Sequence, residues 1–155
     1  MAAGAFALYN TAKKYFFDGT FVWGTTQFRT ELLKQPLTFS AAHDTWSDIS
    51  AQAVATGTQS DYTVGRAMAT ASATVNGGTA TATANVDSTT DVAYGPSVTL
   101  TAKWLVVRTG TATPGAGDKL VGLVDLNTAS ATAVVSSTNG DFTVQWNANG
   151  LFTIA

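Results

Sequence analysis

Arg66-Ala-Met-Ala-Thr-Ala-Ser-Ala-Thr-Val-Asn-Gly-Gly-Thr-Ala-Thr-Ala-Thr-Ala-Asn-Val86 alternates small apolar and polar residues around Asn76-Gly77-Gly78. Alternation of period two is the mark of a strand, and Asn-Gly between two such runs marks a hairpin. With a two-residue loop at Asn76-Gly77, Ala73 opposes Ala80, Ala71 opposes Ala82 and Ala69 opposes Ala84. Thr74, Ser72 and Thr70 then oppose Thr79, Thr81 and Thr83, so one side is methyl and the other hydroxyl. Placing the loop at Gly77-Gly78 instead keeps that segregation, because the register moves by an even step. The side carrying Met68, Thr70, Ser72, Thr74, Thr79, Thr81 and Thr83 is the candidate interface. Cross-strand Thr pairs add only ~0.2 to 1 kcal/mol each, so the hairpin needs aromatics or a neighbouring subunit laid against its alanines.

Outward from the hairpin the chain keeps reading as strands. Gln27 to Leu33 alternates, as do Phe142, Val144 and Trp146 after the Asn139-Gly140 turn, and Phe21 to Trp23 is a shorter run. Ser97 to Arg108 is expected to be one long core strand, with Val98, Leu100, Ala102, Trp104 and Val106 on one face. Leu120 to Leu126 follows it across a Gly-, Thr- and Pro-rich loop at Thr109 to Asp118. Asn147 to Gly150 turns the chain into a last strand, Leu151 to Ile154. Trp104, Trp146, Phe142, Val144 and Leu100 are the candidate core.

One helix is expected at about 5–17, where Leu8, Tyr9, Ala12, Tyr15 and Phe16 fall at helical spacing and Asp18-Gly19 supplies the stop. Lys13 and Lys14 then lie in its last turn, at the negative end of the helix dipole. His43 to Ser50 offers Asp44 or Thr45 as the N-cap of a short helical turn. The expected fold is a single mainly β domain over 1–155, a β-sandwich or jelly-roll-like body from about 21 with one N-terminal amphipathic helix.

Composition narrows the functional classes. Charged residues make up 12% of the chain, about half the usual share, while Ala and Thr together supply about a third of it. Such a surface is mostly hydroxyl, amide and methyl, with little charge to keep neighbours apart. The net charge is −2 and the eight basic residues are scattered, so no phosphate-neutralising stripe exists and nucleic acid is not an expected partner. No apolar run approaches the ~20 residues of a membrane helix, so no membrane partner is expected either. The N-terminal residues Met1 to Leu8 lack the basic region of a secretory leader, giving an expectation of cytoplasmic synthesis. There is no cysteine, and packing must supply the stability that disulfides would give.

Motifs for chemistry are thin. Pro114-Gly-Ala-Gly-Asp-Lys119 has the glycines of a phosphate loop, but Asp118 precedes Lys119 and a strand follows where a helix is needed. His43 is the one histidine and adjoins Asp44, an arrangement that does not line up a catalytic triad. Asp44, Asp48, Asp61, Asp87 and Asp91 lack calcium-loop spacing. The expectation is no enzyme activity, no cofactor and no metal. Trp23 and Trp46 are the indoles expected to be exposed, and they keep a glycan-binding module as an alternative.

Three stretches together resemble a family of small structural proteins of tailed-bacteriophage virions. The first is Tyr9-Asn-Thr-Ala-Lys-Lys-Tyr-Phe-Phe-Asp-Gly-Thr with Thr26-Gln-Phe-Arg-Thr-Glu-Leu-Leu. The second is Thr45-Trp-Ser-Asp-Ile-Ser-Ala-Gln-Ala-Val with Tyr62-Thr-Val-Gly, and the third is Asn139-Gly-Asp-Phe-Thr-Val-Gln-Trp-Asn-Ala-Asn-Gly-Leu. The resemblance implies a capsid decoration or cement protein in the virion, with the major capsid protein or another virion protein as partner. The Ala-rich hairpin and low charge, which leave faces that a monomer would expose poorly, give the expectation of a dimer or trimer. A tail or fibre-attachment component is the alternative within that class. No catalytic residues follow from the resemblance.

Overall fold

The computed structural model describes residues 4–22, 25–54, 65–67, 72–76, 83–87, 91–146 and 152–154. In chain order the elements are β1 (Ala7–Leu8), α1 (Asn10–Phe17), β2 (Phe28–Leu33), β3 (Arg66–Ala67), β4 (Ser72–Asn76), β5 (Thr83–Asp87), β6 (Val92–Ala93), β7 (Val98–Ala102), β8 (Trp104–Thr109), β9 (Leu120–Asp125), β10 (Val135–Gly140), β11 (Thr143–Val144) and β12 (Phe152–Ile154). Two short 3₁₀ turns, Trp46–Asp48 and Ser50–Gln52, follow β2. The fold is mainly β, with antiparallel sheets and one helix near the N-terminus.

A five-stranded sheet in the order β1-β9-β8-β2-β3 forms the centre. Its middle strands read as near-continuous apolar runs, Leu120-Val-Gly-Leu-Val124 and Leu105-Val-Val107, which marks a sheet covered on both faces. Burial agrees, since β2, β8 and β9 are buried along almost their whole length. The β2–β8 register pairs Thr30 with Val107 and Arg29 with Arg108, so neighbouring positions point to opposite faces. On one face the Tyr94 hydroxyl donates to Thr30 Oγ1 at 2.9 Å. On the other the indole of Trp46 lies 5.8 Å from the Arg108 guanidinium carbon.

The N-terminal segment differs from the sequence reading at its start. Residues expected to open the helix instead form β1, where Ala7 pairs with Leu123 and Leu8 with Gly122. Closing the edge of β9 satisfies backbone groups that a free first helical turn would leave open. Gly122 permits this approach, since a Cβ there would stand 2.2 Å from the Phe6 ring. The helix begins at Asn10 and stops at the expected place, with Asp18 N–H donating to Lys14 O and Gly19 at φ 75°. Phe21 and Val22 are not in a strand; Phe21 enters the core beside Tyr15, Phe16 and Phe28.

The expected strand from Ser97 to Arg108 is two strands in two sheets. The chain breaks at Lys103, with β7 pairing with β10 and β8 lying between β2 and β9. Twelve extended residues would span about 40 Å, roughly the full width of a compact chain of this size. The break lets the chain fold back across its own core. Apolar alternation alone does not reveal it, because both halves are apolar.

The hairpin arms pair as β4 and β5, in a register that sets Ala73 against Val86, Val75 against Ala84, Thr74 against Asn85 and Ser72 against Asp87. Asn76 itself pairs with Thr83, so the register differs from the one expected with a two-residue loop at Asn76-Gly77. Apolar positions still oppose apolar ones, since the displacement is an even step. β12 adds a third strand through Phe152↔Val86. Trp23 and the outer hairpin positions Met68, Thr70, Thr79 and Thr81 lie outside the described residues.

Among the described residues one apolar cluster runs from Tyr9 and Ala12 through Leu32, Leu33, Ile49, Tyr94 and Val98 to Leu105, Leu120 and Leu123. Leu100 is buried within it, while Trp104, Trp146, Phe142 and Val144 pack against its rim and are partly buried. Trp46, expected at the periphery, is 6% exposed. Its turn is short but held by a capping box, in which the Thr45 side chain caps the Asp48 N–H and Asp48 reaches back to the Thr45 N–H. That cap aims the indole inward. Among the described residues no helix is long and apolar enough to cross a membrane.

Candidate functional site

One described surface rich in hydroxyls is the sheet of β7 and β10. In Val98-Thr-Leu-Thr-Ala102 the odd-even pattern buries Val98, Leu100 and Ala102 and exposes Thr99 and Thr101. Ser136 pairs with Thr101, and Ser136 and Thr138 are exposed too. Thr99, Thr101, Ser136 and Thr138 thus make an outward face without a charge. Each strand has one partner, so both outer edges are unpaired among the described residues. Open edges are usually guarded by lysine, proline or inward charge. Val135-Ser-Ser-Thr-Asn-Gly140 contains none of these, and a bulge between Ser137 and Gly140 is its one irregularity.

Two buried cations at the two ends of β8 tie down the loops on either side of β9. Arg108 is 0% exposed. Its Nε donates to Glu31 Oε1 at 3.1 Å and its Nη2 donates to the same oxygen. Nη1 donates to Thr109 O at 3.0 Å, Thr111 O at 2.9 Å and Asp118 Oδ2 at 2.8 Å, and Nη2 also reaches Ala112 O at 3.2 Å. The Gly-, Thr- and Pro-rich loop from Thr109 to Asp118 is therefore exposed along most of its length while its carbonyls wrap a buried guanidinium. Trp46 N–H and Ser47 N–H close it from outside on Asp118 O and Ala116 O. Burial pushes the Glu31 carboxyl above its ordinary value, with hydrogen bonds from Arg108 and the Gly65 backbone acting in the opposite direction.

Lys103 plays the same part at the other end. Its ammonium is buried and donates to Asn127 O at 2.6 Å and Ser130 O at 3.0 Å, and it pairs with Asp125 Oδ1 at 2.8 Å. Those three contacts use all the donors a lysine has. A smaller cluster joins α1 to the start of β9: Lys119 pairs with Asp44 Oδ2 at 3.0 Å, and the Tyr15 hydroxyl donates to Asp44 Oδ1 at 3.3 Å. Burial pushes the Asp44 carboxyl up, but the Lys119 and Tyr15 contacts outweigh it and hold it below the usual range.

These clusters fix loops, and their charged side chains are committed to one another. Asp118 and Lys119 of the phosphate-loop-like stretch are committed to Arg108 and Asp44. His43 follows a turn, its N–H donating to Ser40 O at 3.1 Å, and its ring lies 6.3 Å from that of Tyr9. Among the described residues no three His, Asp or Glu side chains gather where a metal ion could sit. Trp46, one of the two indoles considered for a sugar platform, is buried over Arg108.

Of the candidate interface, the structure places Ser72, Thr74 and Thr83 on β4 and β5. The hydroxyl face on β7 and β10 was not singled out in the sequence. Its signal was present in Thr99 and Thr101, which alternate with the apolar residues used to assign the strand. Arg108 and Glu31 also had a signal, as opposite charges set inside two apolar strands. No protein-family model, curated protein or solved structure matches this chain.

Proposed function

We propose that the chain is a structural component of a bacteriophage virion, a decoration or cement protein that seats on the assembled shell and on copies of itself. The observation that carries this reading is the uncharged hydroxyl face of Thr99, Thr101, Ser136 and Thr138, with an unpaired strand edge beside it. An edge of this kind accepts another strand by main-chain hydrogen bonds. A face without charge carries no like-charge repulsion between identical copies. The buried cations add rigidity, so a docking copy orders little that is not already ordered. A protein that binds the assembled shell better than its dissociated parts stabilises the shell by mass action at every occupied position.

The resemblance of the stretches around Tyr9, Thr45 and Asn139 to virion structural proteins supports the same reading. The partners are the major capsid protein or another virion protein, and a second or third copy of the chain. Labelling of purified particles with an antibody against this chain, viewed by electron microscopy, tests it. Label over the shell is the expected result; label on the tail alone would replace cementing with a tail or fibre-attachment role, and unlabelled particles would end the virion reading.

A further inference from the structure

We propose that Asn139 is a site of non-enzymatic deamidation, and that its isoaspartyl product uncouples β10 from β7. The register of the two strands runs from Val135↔Ala102 to Ser137↔Leu100 and resumes at Gly140↔Val98, leaving Thr138 and Asn139 against Thr99 alone. This is a bulge, and Asn139 turns it at φ 47°, a left-handed conformation that asparagine tolerates better than most residues. Its backbone N–H donates to Thr99 Oγ1 at 3.0 Å. Its side chain is exposed and makes no hydrogen bond among the described residues, so the amide is free to swing towards the next peptide. That next residue is Gly140, whose missing side chain leaves its nitrogen unshielded.

The chemistry needs only water. The Gly140 backbone nitrogen, losing its proton, attacks Asn139 Cγ; the bond from Cγ to the side-chain nitrogen breaks and ammonia leaves. The five-membered imide that results is opened by water at either carbonyl, giving aspartate or isoaspartate. Both products place a carboxylate on a face that holds no charge, on a chain whose formal net charge is −2 at pH 7. Isoaspartate also routes the main chain through the former side chain and lengthens it by one carbon. The bond from Asn139 N–H to Thr99 Oγ1 and the pairing of Gly140 with Val98 both depend on the original length.

Folded protein incubated at mildly alkaline pH, digested and mapped by mass spectrometry tests this, with urea-unfolded chain run beside it. Expected is conversion at Asn139 in the folded protein at a rate comparable with the unfolded chain, and a species with one more negative charge on ion exchange. Amide exchange at Val98 and Thr99 rises in the isolated isoaspartyl form. Gly140→Ala, whose new methyl would meet the Ser137 hydroxyl at 3.1 Å and Thr138 O at an ordinary 3.8 Å, loses the conversion while remaining folded. Asn139 left intact in the folded protein while the unfolded chain converts there would overturn the proposal, as would unchanged amide exchange in the isoaspartyl form.

Discussion

Arg108 and Glu31 meet diagonally across β8 and β2, with Arg108 Nε 3.1 Å from Glu31 Oε1 and side-chain exposures of 0% and 2%. Register explains the meeting: Arg108 pairs with Arg29, and Glu31 lies two residues along the same face. A charge so deep is tolerated only when paired and hydrogen-bonded. Arg108→Met leaves the Glu31 carboxyl buried without its partner, and should cost about 3–5 kcal/mol in urea unfolding. Arg108→Met with Glu31→Leu should recover much of that loss, because replacing both partners removes the orphaned carboxyl. A double variant as unstable as the single one would show that the loop carbonyls, rather than the pair, carry the effect.

Trp46→Ala should cost ~3 to 5 kcal/mol, since it empties a buried site and strips the cover from Arg108. Trp146→Ala should cost less, because Trp146 is partly buried at the rim. Denaturation midpoints that rank the two the other way would contradict the burial seen here.

Gly65→Ala should destabilise strongly. Gly65 has φ 63°, and an added Cβ would fall 1.9 Å from Ala112 O, a backbone atom of the loop held by Arg108. Gly117→Ala, in the same loop but with open space around its Cα, is the control and should change the midpoint little. Equal midpoints for the two variants would contradict the close approach of the two segments.

The pH dependence follows from the carboxylates. The N–H groups of Thr45 and Asp44 donate to Asp48 at 2.9 Å and hold its carboxyl below the ordinary 3.8. A lowered folded-state value means stability that is present above 3.8 and lost as pH falls through the folded value. Glu31 has the opposite sign: its raised value gives a contribution present below the ordinary 4.5 and lost as pH rises through the folded value. Asp48→Asn should therefore flatten the acid limb of a stability profile measured by urea midpoints from about pH 5 downward. An unchanged acid limb would remove Asp48 from the capping box.

Much of the sheet was legible in the chain because alternation states which residues face inward. Phe28 to Leu33, Leu120 to Asp125 and the stop at Asp18-Gly19 all follow from local pattern. Lys103 was not legible as a break, because a lysine inside an apolar run reads the same whether it ends a strand or crosses one. The burial of Trp46 is not legible in the sequence because a short turn reads as peripheral, whereas its capping box and the Arg108 guanidinium draw it in. The hairpin register followed the turn residues, yet β4 and β5 pair in a different register, a choice made by tertiary neighbours such as β12. The hydroxyl face was overlooked because threonines between core residues were read only as spacers.

The most direct measurement of the cementing role is the temperature or osmotic shock at which particles release their genome, compared with and without this chain. Particles lacking it should release at lower temperature or milder shock, and adding back purified protein should restore the original threshold, because binding to the assembled shell lowers the free energy of that state alone. Identical thresholds in the two preparations would contradict the role.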